Sequence, residues 1–80
     1  MTYFVYVLRS VSTAHRYIGQ TNNLPYRLAK HNSGRANYTK NRGPWELIYS
    51  EEYPTRAEAM RREKFLKSGV GREFLDSLGK

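Results

Sequence analysis

A strand pattern and a helix pattern lie on either side of the polar centre of the stretch Tyr17-Ile-Gly-Gln-Thr-Asn-Asn-Leu-Pro-Tyr-Arg-Leu-Ala-Lys-His31. The first residues of the stretch indicate a strand, and Gly19 near the end of that strand permits close approach of another backbone or an unusual dihedral angle. Asn23 is a suitable helix N-cap, and Pro25 fits the first helical turn, where no N–H donor is needed. The stretch therefore predicts a strand, a turn and a helix that ends near Asn32.

The segments on both sides of this stretch complete a small α+β fold. Residues 3–8 are rich in β-branched and aromatic side chains, and residues 45–53 alternate between two faces, so both segments favour strands. Thr55 and Glu58 form a capping-box pattern that starts a later helix. In chain order, the predicted elements are strands 3–8 and 15–20, helix 23–32, strand 45–53, and helices 55–68 and 71–78. The predicted fold class is α+β, a three-stranded antiparallel sheet flanked by helices in the order ββαβαα.

Hydropathy also predicts where the strands lie in the sheet. Residues 3–8 are apolar on both faces, which indicates the central strand. Residues 45–53 include Glu51 and Glu52, and charged residues are frequent on edge strands because they discourage pairing with other chains. Residues 11–14 are a short turn, so the first two strands are expected to form an antiparallel hairpin.

Composition favours a polyanionic partner. The 80 residues carry 14 Lys and Arg against 7 Asp and Glu, a formal charge of +7, which on a small chain most often accompanies nucleic-acid binding. The alternative is that the charge only maintains solubility. The length fits one domain over residues 1–80, and the absence of cysteine excludes disulfides and thiolate metal sites. No apolar stretch is long enough to cross a membrane, so a monomeric, cytoplasmic protein without membrane association is expected.

Arg27 and His31 lie four residues apart on the first predicted helix and therefore share a face. At about 100° per residue, this face borders the apolar stripe formed by Leu24 and Leu28. The pair is expected to lie over the sheet near the end of the second strand. Two structural alternatives remain open: the Arg27 stem can cover apolar surface, and His31 can act as a cation near the helix C-terminus.

Glu63 lies within the apolar stripe of the second predicted helix, which includes Met60 and Leu66. Burying a carboxylate in such a stripe costs on the order of several kcal/mol unless the group is paired, protonated or bound to a cation. An ion pair with Arg27 or Lys67 meets this requirement. A single-carboxylate Mg²⁺ site, completed by water and substrate phosphate, meets it equally well.

Tyr6 and Tyr17 lie near the middle of the first two strands, which a hairpin would place side by side. Taken alone, they are most simply two core phenols with hydroxyl groups at the rim of the core. Convergence of both phenols with Arg27, His31 and Glu63 on one sheet face would instead assemble a site for phosphodiester cleavage. In such a site a metal ion and the guanidinium offset phosphate charge, and a phenol or imidazole handles the proton.

Residues 35–44 form a basic polar segment between the first helix and the third strand. Its cations can follow a nucleic-acid backbone, and its tyrosine can stack on a base. A solvated surface loop is the alternative. Together with positions near the predicted site, the predicted nucleic-acid contacts are Gln20, Arg35, Tyr38, Thr39, Lys40, Arg42 and Lys67.

In their order and spacing, these motifs resemble the GIY-YIG nuclease superfamily, and most closely its small stand-alone bacterial members, the UPF0213 group. The first family signature falls on Phe4-Val5-Tyr6, with phenylalanine in place of glycine, and the second, Tyr17-Ile18-Gly19, is intact. Arg27, His31 and Glu63 match the positions of the family's helical arginine, its His-or-Tyr position and its metal-binding glutamate. The resemblance covers essentially the whole chain.

The resemblance implies hydrolysis of a phosphodiester bond in DNA with one divalent metal ion, Mg²⁺ or Mn²⁺. Glu63 would hold the metal, and Arg27 would stabilise charge on the attacked phosphate. Tyr6, Tyr17 or His31 would orient or deprotonate the water, with Tyr17 as the first choice. Because a free phenol has a pKa near ~10, Tyr17 would need the metal or Arg27 to act as a base at neutral pH.

The predicted function is therefore a metal-dependent DNA endonuclease. A more specific form of this prediction is an enzyme that cleaves particular DNA structures in repair or recombination. A non-catalytic nucleic-acid-binding module with the same fold is the alternative. Two departures from the family bear on this choice. A late asparagine that many active members carry has no counterpart here, and no separate DNA-binding region is attached, so specificity is expected to come from the domain or from a protein partner.

Overall fold

The computed structural model describes residues 1–33 and 43–80, and in these residues it contains three strands and three helices. In chain order, the elements are β1 (Tyr3–Ser10), β2 (Arg16–Thr21), α1 (Leu24–Asn32), β3 (Trp45–Tyr53), α2 (Arg56–Leu66) and α3 (Gly69–Ser77). The predicted α+β class and the order ββαβαα are confirmed.

The first strand, β1, lies at the centre of an antiparallel sheet with the strand order β2-β1-β3. This confirms the predicted central position of residues 3–8 and the predicted edge position of residues 45–53. In the hairpin register, Tyr6 pairs with Gly19 and Leu8 pairs with Tyr17. The two tyrosines of the sequence motifs therefore belong to adjacent strands.

The two faces of β1 belong to separate apolar clusters, because successive side chains point to opposite sides of a strand. Val5 and Val7 face α2 and α3. Tyr6 and Leu8 face α1 and pack with Trp45, the first residue of β3. The sheet therefore has helices on both sides, and Tyr6 lies on the α1 side.

The corner between α2 and α3 differs from the predicted boundaries. The helix α2 ends at Leu66, and α3 already begins at Gly69. The Ser68 hydroxyl caps α3 by accepting a hydrogen bond from the Gly71 backbone N–H at 3.2 Å. A Cβ atom on Gly71 would lie 2.1 Å from the Phe65 carbonyl oxygen. Close packing of the two helices therefore determines where α2 ends and α3 begins, and no local sequence pattern predicts that packing.

The buried stripe of α2 is narrower than its sequence predicts. Ala59 and Leu66 are fully buried, whereas Met60 is 53 % exposed, so the placement of Met60 in the core was wrong. At about 100° per residue, Met60 lies on the same side of the helix as Arg56 and Glu63, away from the centre of the buried stripe. This side of α2 borders β2 and positions Glu63 next to the cluster described below.

Candidate active site

Gly19 allows the two tyrosines of the hairpin to approach each other. A Cβ atom at this position would lie 2.7 Å from the Tyr6 hydroxyl oxygen and 3.1 Å from Cε1 of Tyr17. Both separations are shorter than ordinary carbon contacts, so any larger residue would displace a ring. With glycine there, the centroids of the two phenol rings lie 6.2 Å apart.

The helix α1 adds His31 to this pair. The helix begins as predicted, since the Asn23 side chain accepts a hydrogen bond from the Tyr26 backbone N–H at 3.2 Å. Near its other end, His31 Nε2 is hydrogen-bonded to the Tyr6 hydroxyl at 3.0 Å. The His31 ring centroid lies 4.6 Å from that of Tyr17. We refer to Tyr6, Tyr17 and His31 as the tyrosine–histidine cluster.

The position of His31 corrects two expectations. His31 is 2 % exposed, whereas Leu24 and Leu28 are only half-buried, so the imidazole lies in the contact with the sheet and not at its border. Burial, together with the positive charges of Arg27 and Lys30, lowers the pKa of His31 below its usual value. The ring is therefore neutral at neutral pH and does not act as a helix-terminal cation.

The two phenols of the cluster differ in environment. Tyr6 is 1 % exposed, and burial, followed by the neighbouring Tyr17, raises the pKa of its hydroxyl far above the usual range. Tyr6 therefore keeps its proton at neutral pH and is shielded from a substrate. Tyr17 is half-buried and lines an open groove. Tyr17 is consequently the phenol of the cluster that a substrate can contact.

Arg27 and Glu63 approach the cluster from two different helices. Arg27 lies close enough to lower the pKa of both Tyr6 and His31 through its charge. Glu63 acts on Tyr6 with the opposite sign and raises its pKa. The charges of Arg27 and Glu63 thus act on the cluster that Tyr6, Tyr17 and His31 form, while Arg27 and Tyr17 line different concave surfaces.

One of the two ion pairs considered for Glu63 is present. Lys67 Nζ donates a hydrogen bond to Glu63 Oε2 at 2.7 Å, one helical turn along α2. The Glu63 side chain is 22 % exposed and that of Lys67 is 55 % exposed. A pair with one partner largely in water contributes little to stability and opens readily. Lys67 therefore satisfies the Glu63 carboxylate without preventing access to it.

The chemistry of Glu63 fits one class of metal ion. Among residues 1–33 and 43–80, no three His, Cys, Asp or Glu side chains are grouped so as to hold a metal. Mg²⁺ and similar hard cations bind through one or two carboxylates and keep several water or phosphate oxygens as ligands. Glu63 therefore fits a cation that takes a single protein carboxylate and does not fit an enclosed, all-protein metal site.

The predicted nucleic-acid contacts are described only in part. Gln20 lines a pocket of about 310 Å³ together with Arg27, Lys30 and Arg56. The side-chain oxygen of Gln20, Oε1, is buried without a hydrogen-bond partner from the described residues. Lys67 lines a second groove at the opposite end of β2. The other predicted contacts lie outside the described residues: Arg35, Tyr38, Thr39, Lys40 and Arg42.

Asn32 holds the cluster in place, a role that the sequence patterns did not reveal. Its side-chain amide donates to the Trp45 carbonyl at 3.0 Å, and its side-chain oxygen accepts from the Trp45 N–H at 2.6 Å. These bonds fasten the end of α1 to the start of β3. Trp45 in turn meets the Tyr17 ring edge-on, with centroids 6.4 Å apart. An asparagine at a helix end is a weak signal, because its partner is known only once the fold is known.

Comparison with known proteins identifies the family to which this geometry belongs. Residues 2–73 match the GIY-YIG catalytic domain. The chain belongs to the GIY-YIG family. It is similar to a UPF0213 protein of Oceanobacillus iheyensis, with 41% identity over 66 residues that cover 81% of this chain and 76% of that protein. A UPF0213 protein of Clostridium perfringens is 42% identical over 65 residues, which cover 80% of this chain and 69% of that protein.

A solved structure agrees with this assignment. The solution NMR structure of a UPF0213 protein from Bacillus halodurans is similar to this chain, with a TM-score of 0.59 and 38% identity. The match covers 98% of this chain and 85% of the other. The resemblance to GIY-YIG nucleases and to UPF0213 proteins is therefore confirmed, and the chain is a member of a nuclease family. In residues 1–33 and 43–80, every helix is too short or too polar to cross a membrane.

Proposed function

We propose that this GIY-YIG protein is a divalent-metal-dependent endonuclease that hydrolyses phosphodiester bonds in DNA. The observation that carries the proposal is the meeting of the tyrosine–histidine cluster with Arg27 and Glu63. A surface that only binds DNA gains nothing from a carboxylate near the phosphates, because like charges repel. A site that hydrolyses DNA needs such a carboxylate for a metal ion, together with a fixed cation and a proton acceptor.

A divalent ion on Glu63 and the guanidinium of Arg27 would together offset the negative charge of the scissile phosphate. Glu63 would hold Mg²⁺ or Mn²⁺ through its carboxylate, with the exposed Lys67 ammonium turned toward solvent. The bound ion supplies Lewis-acid stabilisation of the phosphate. Arg27 presents its guanidinium to the phosphate oxygens, where charge increases in the transition state.

The tyrosine–histidine cluster provides a path for the proton of the attacking water. Tyr17 reaches the groove, its ring centroid lies 4.6 Å from that of His31, and the Tyr6 hydroxyl is hydrogen-bonded to His31 Nε2. A neutral phenol is a poor base, whereas a neutral imidazole accepts a proton near neutral pH. Tyr17 contacts and orients the attacking water, and the hydrogen-bonded pair of Tyr6 and His31 takes up the water proton.

The proposal is tested by cleavage of branched, flapped, single-stranded and duplex DNA with Mg²⁺ or Mn²⁺. Glu63→Gln and Arg27→Ala should each lower the cleavage rate by roughly 10²–10³-fold, the usual loss when one group that stabilises transition-state charge is removed. Glu73→Gln and Arg61→Ala change the same charges at exposed positions and should cleave like the wild type. Cleavage that survives both site substitutions contradicts the proposal. A preference for branched or flapped DNA would support a role in repair or recombination.

The ion pair between Glu63 and Lys67 supports one alternative, a nucleic-acid-binding module that does not cleave. In that case Glu63 only orients Lys67 for contact with a phosphate. The two functions differ in the same assay. Salt-dependent DNA binding without cleavage of any of the four substrates, under either metal, would favour the binding module.

A further inference from the structure

One side of α2 carries a row of exposed or half-exposed side chains: Arg56, Met60, Glu63 and Lys67. At about 100° per residue, these four lie within a narrow sector of the helix. The adjacent sector contains Ala59 and Leu66, which are fully buried against the sheet. The row therefore runs along the helix at the margin of its contact with the sheet, with the metal-binding candidate Glu63 inside the row and a cation at each end.

The row lies beside β2, and α2 runs antiparallel to that strand. Arg56, at the start of α2, lines a pocket together with Gln20 and Thr21 at the end of β2. Lys67, which follows α2, lines a groove together with Tyr17 near the start of β2. Glu63 and the tyrosine–histidine cluster therefore lie between two concave surfaces at opposite ends of one sheet edge.

Both concave surfaces are basic. The first, which we call the Arg56 pocket, has a volume of about 310 Å³ and contains Arg27, Lys30 and Arg56. Among the described residues that line the Arg56 pocket, none is acidic. Such a pocket suits an anion, since its described lining carries three cations and no carboxylate.

The second surface, which we call the Lys67 groove, has a volume of about 810 Å³. Its lining includes Arg9, Arg16, Lys67, Arg72 and Lys80. Three of these cations have carboxylate partners: Arg9 is paired with Glu46, Arg16 with Asp76 and Lys67 with Glu63. The excess positive charge of the Lys67 groove therefore comes from Arg72 and the Lys80 side chain.

The spacing of the two surfaces indicates the kind of ligand. Arg56 and Lys67 are eleven residues apart, which corresponds to about 16 Å along a helix. In a B-form duplex, a strand advances about 3.4 Å per nucleotide along the helix axis, so roughly five steps, or six nucleotides, cover this distance, and a more extended strand needs fewer. A mononucleotide fills only one of the two surfaces, whereas an extended strand reaches both and passes Glu63 between them.

We propose that this edge holds one DNA strand along β2, with backbone phosphates in the Arg56 pocket and in the Lys67 groove on either side of Glu63. The inference rests on the proposed function for the identity of the site between the two surfaces. Met60, which is 53 % exposed in the middle of the row, offers an apolar contact for a sugar or base, as flexible thioethers do at adaptable binding surfaces.

The proposal is tested by binding of a fluorescent oligo-thymidine 12-mer to the full chain in metal-free buffer at several salt concentrations. Arg56→Gln and Arg72→Gln remove one cation from the Arg56 pocket and one from the Lys67 groove. Each should reduce the slope of log affinity against log salt by about 0.7, and the double variant by about twice that amount. Arg61→Gln and Lys64→Gln alter exposed cations of α2 outside both surfaces and should keep the wild-type slope.

Oligonucleotide length gives a second, independent measurement. Wild-type affinity should rise from a 2-mer up to about six nucleotides, the length that covers both surfaces, and change little beyond it. The proposal is overturned if Arg61→Gln lowers the slope as much as Arg56→Gln does, or if the double variant equals the single variants. It is also overturned if a 2-mer binds as tightly as the 12-mer. Circular dichroism and urea midpoints establish that each variant is folded.

These outcomes are separable from those of the cleavage assay. Binding that depends on both surfaces, without cleavage under Mg²⁺ or Mn²⁺, rejects the endonuclease and keeps the strand path. Cleavage lost in Glu63→Gln but unchanged in the double variant, with an unchanged salt slope, keeps the endonuclease and rejects the strand path.

Discussion

At the scale of single residues, the surroundings of His31 determine its protonation. It is almost fully buried, is hydrogen-bonded to Tyr6 and lies near the charges of Arg27 and Lys30. Burial and these charges favour the neutral imidazole, so the pKa of His31 is lower in the folded chain than in the unfolded chain, where it is near 6.5. His31 can therefore accept a proton in the proposed reaction, but a lasting charge on its ring destabilises the fold.

This pKa difference predicts a stability loss in mild acid. Because the unfolded chain binds the His31 proton more readily, the stability that neutral His31 contributes is present above pH 6.5 and is lost as the pH falls toward the folded pKa. Urea unfolding between pH 7.5 and 5.0 should show a falling free energy of unfolding in the wild type. The fall should be much smaller in His31→Gln and should persist in His15→Gln, which alters an exposed histidine.

Equal pH dependence in the wild type and in His31→Gln over this range would contradict the prediction. Glu51 does not interfere, because hydrogen bonds from Arg62 and two tyrosines outweigh the effect of burial and hold the pKa of its carboxyl below 4.5.

At the scale of secondary-structure elements, Glu51 joins the edge strand β3 to α2. Arg62 donates two hydrogen bonds to its carboxylate, from Nε at 2.8 Å and from a terminal nitrogen at 3.1 Å. The hydroxyl groups of Tyr53, at 2.6 Å, and Tyr49 also donate to it. Arg62 lies over the Phe65 ring, 4.6 Å from its centroid. The network holds α2, and with it Glu63, against the sheet.

The network also changes the environment of its tyrosines. Burial, followed by the hydrogen bond to Glu51, raises the pKa of Tyr53 to about 12. Burial and the same carboxylate raise the pKa of Tyr49. Both phenols therefore remain donors across the range in which the protein would act, and the carboxylate accepts four hydrogen bonds.

Glu51→Gln should lower the free energy of unfolding by about 1–3 kcal/mol, because an amide cannot accept all four hydrogen bonds and leaves the half-buried Arg62 without its counter-charge. Glu52→Gln makes the same change at the neighbouring exposed position and should stay within about 0.5 kcal/mol of the wild type. Urea unfolding at neutral pH measures both values. Equal stability of the two variants would show that the hydrogen bonds to Glu51 do not stabilise the contact between β3 and α2.

At the scale of the whole molecule, the two proposals divide binding and cleavage of DNA between groups that overlap only in part. In the proposed strand path, cations of the Arg56 pocket and the Lys67 groove contact the backbone, whereas the proposed endonuclease needs the Glu63 carboxylate for a metal ion. The formal charge of +7 favours a polyanionic partner without any metal. Under these proposals, cleavage requires the ion and binding does not.

Removal of divalent ions with a chelator should abolish cleavage and leave DNA binding intact or slightly tighter, because divalent cations compete with the protein for the phosphates. Fluorescence anisotropy of a labelled oligonucleotide and gel analysis of the same samples measure binding and cleavage together. Re-addition of Mg²⁺ or Mn²⁺ should restore cleavage. Cleavage that continues in the presence of the chelator would contradict the proposal that Glu63 binds a catalytic metal ion.

The sequence by itself determined the elements and their order. The continuous apolarity of residues 3–8 placed β1 at the centre of the sheet, and Asn23 with Pro25 located the start of α1. The two strand signatures, Phe4-Val5-Tyr6 and Tyr17-Ile18-Gly19, together with the order and spacing of Arg27, His31 and Glu63 after them, indicated the GIY-YIG family. These features could be read because capping, hydropathic period and turn chemistry depend on residues that are close together in the chain.

Only the tertiary structure decided how the polar groups are arranged. It buried His31 more deeply than the leucines beside it, exposed Met60 and joined Asn32 to Trp45. It also placed a basic surface at each end of β2. Local periodicity shows which side of a helix is apolar on average, but burial and pairing depend on the segment that packs against each residue. That partner comes from a distant part of the chain.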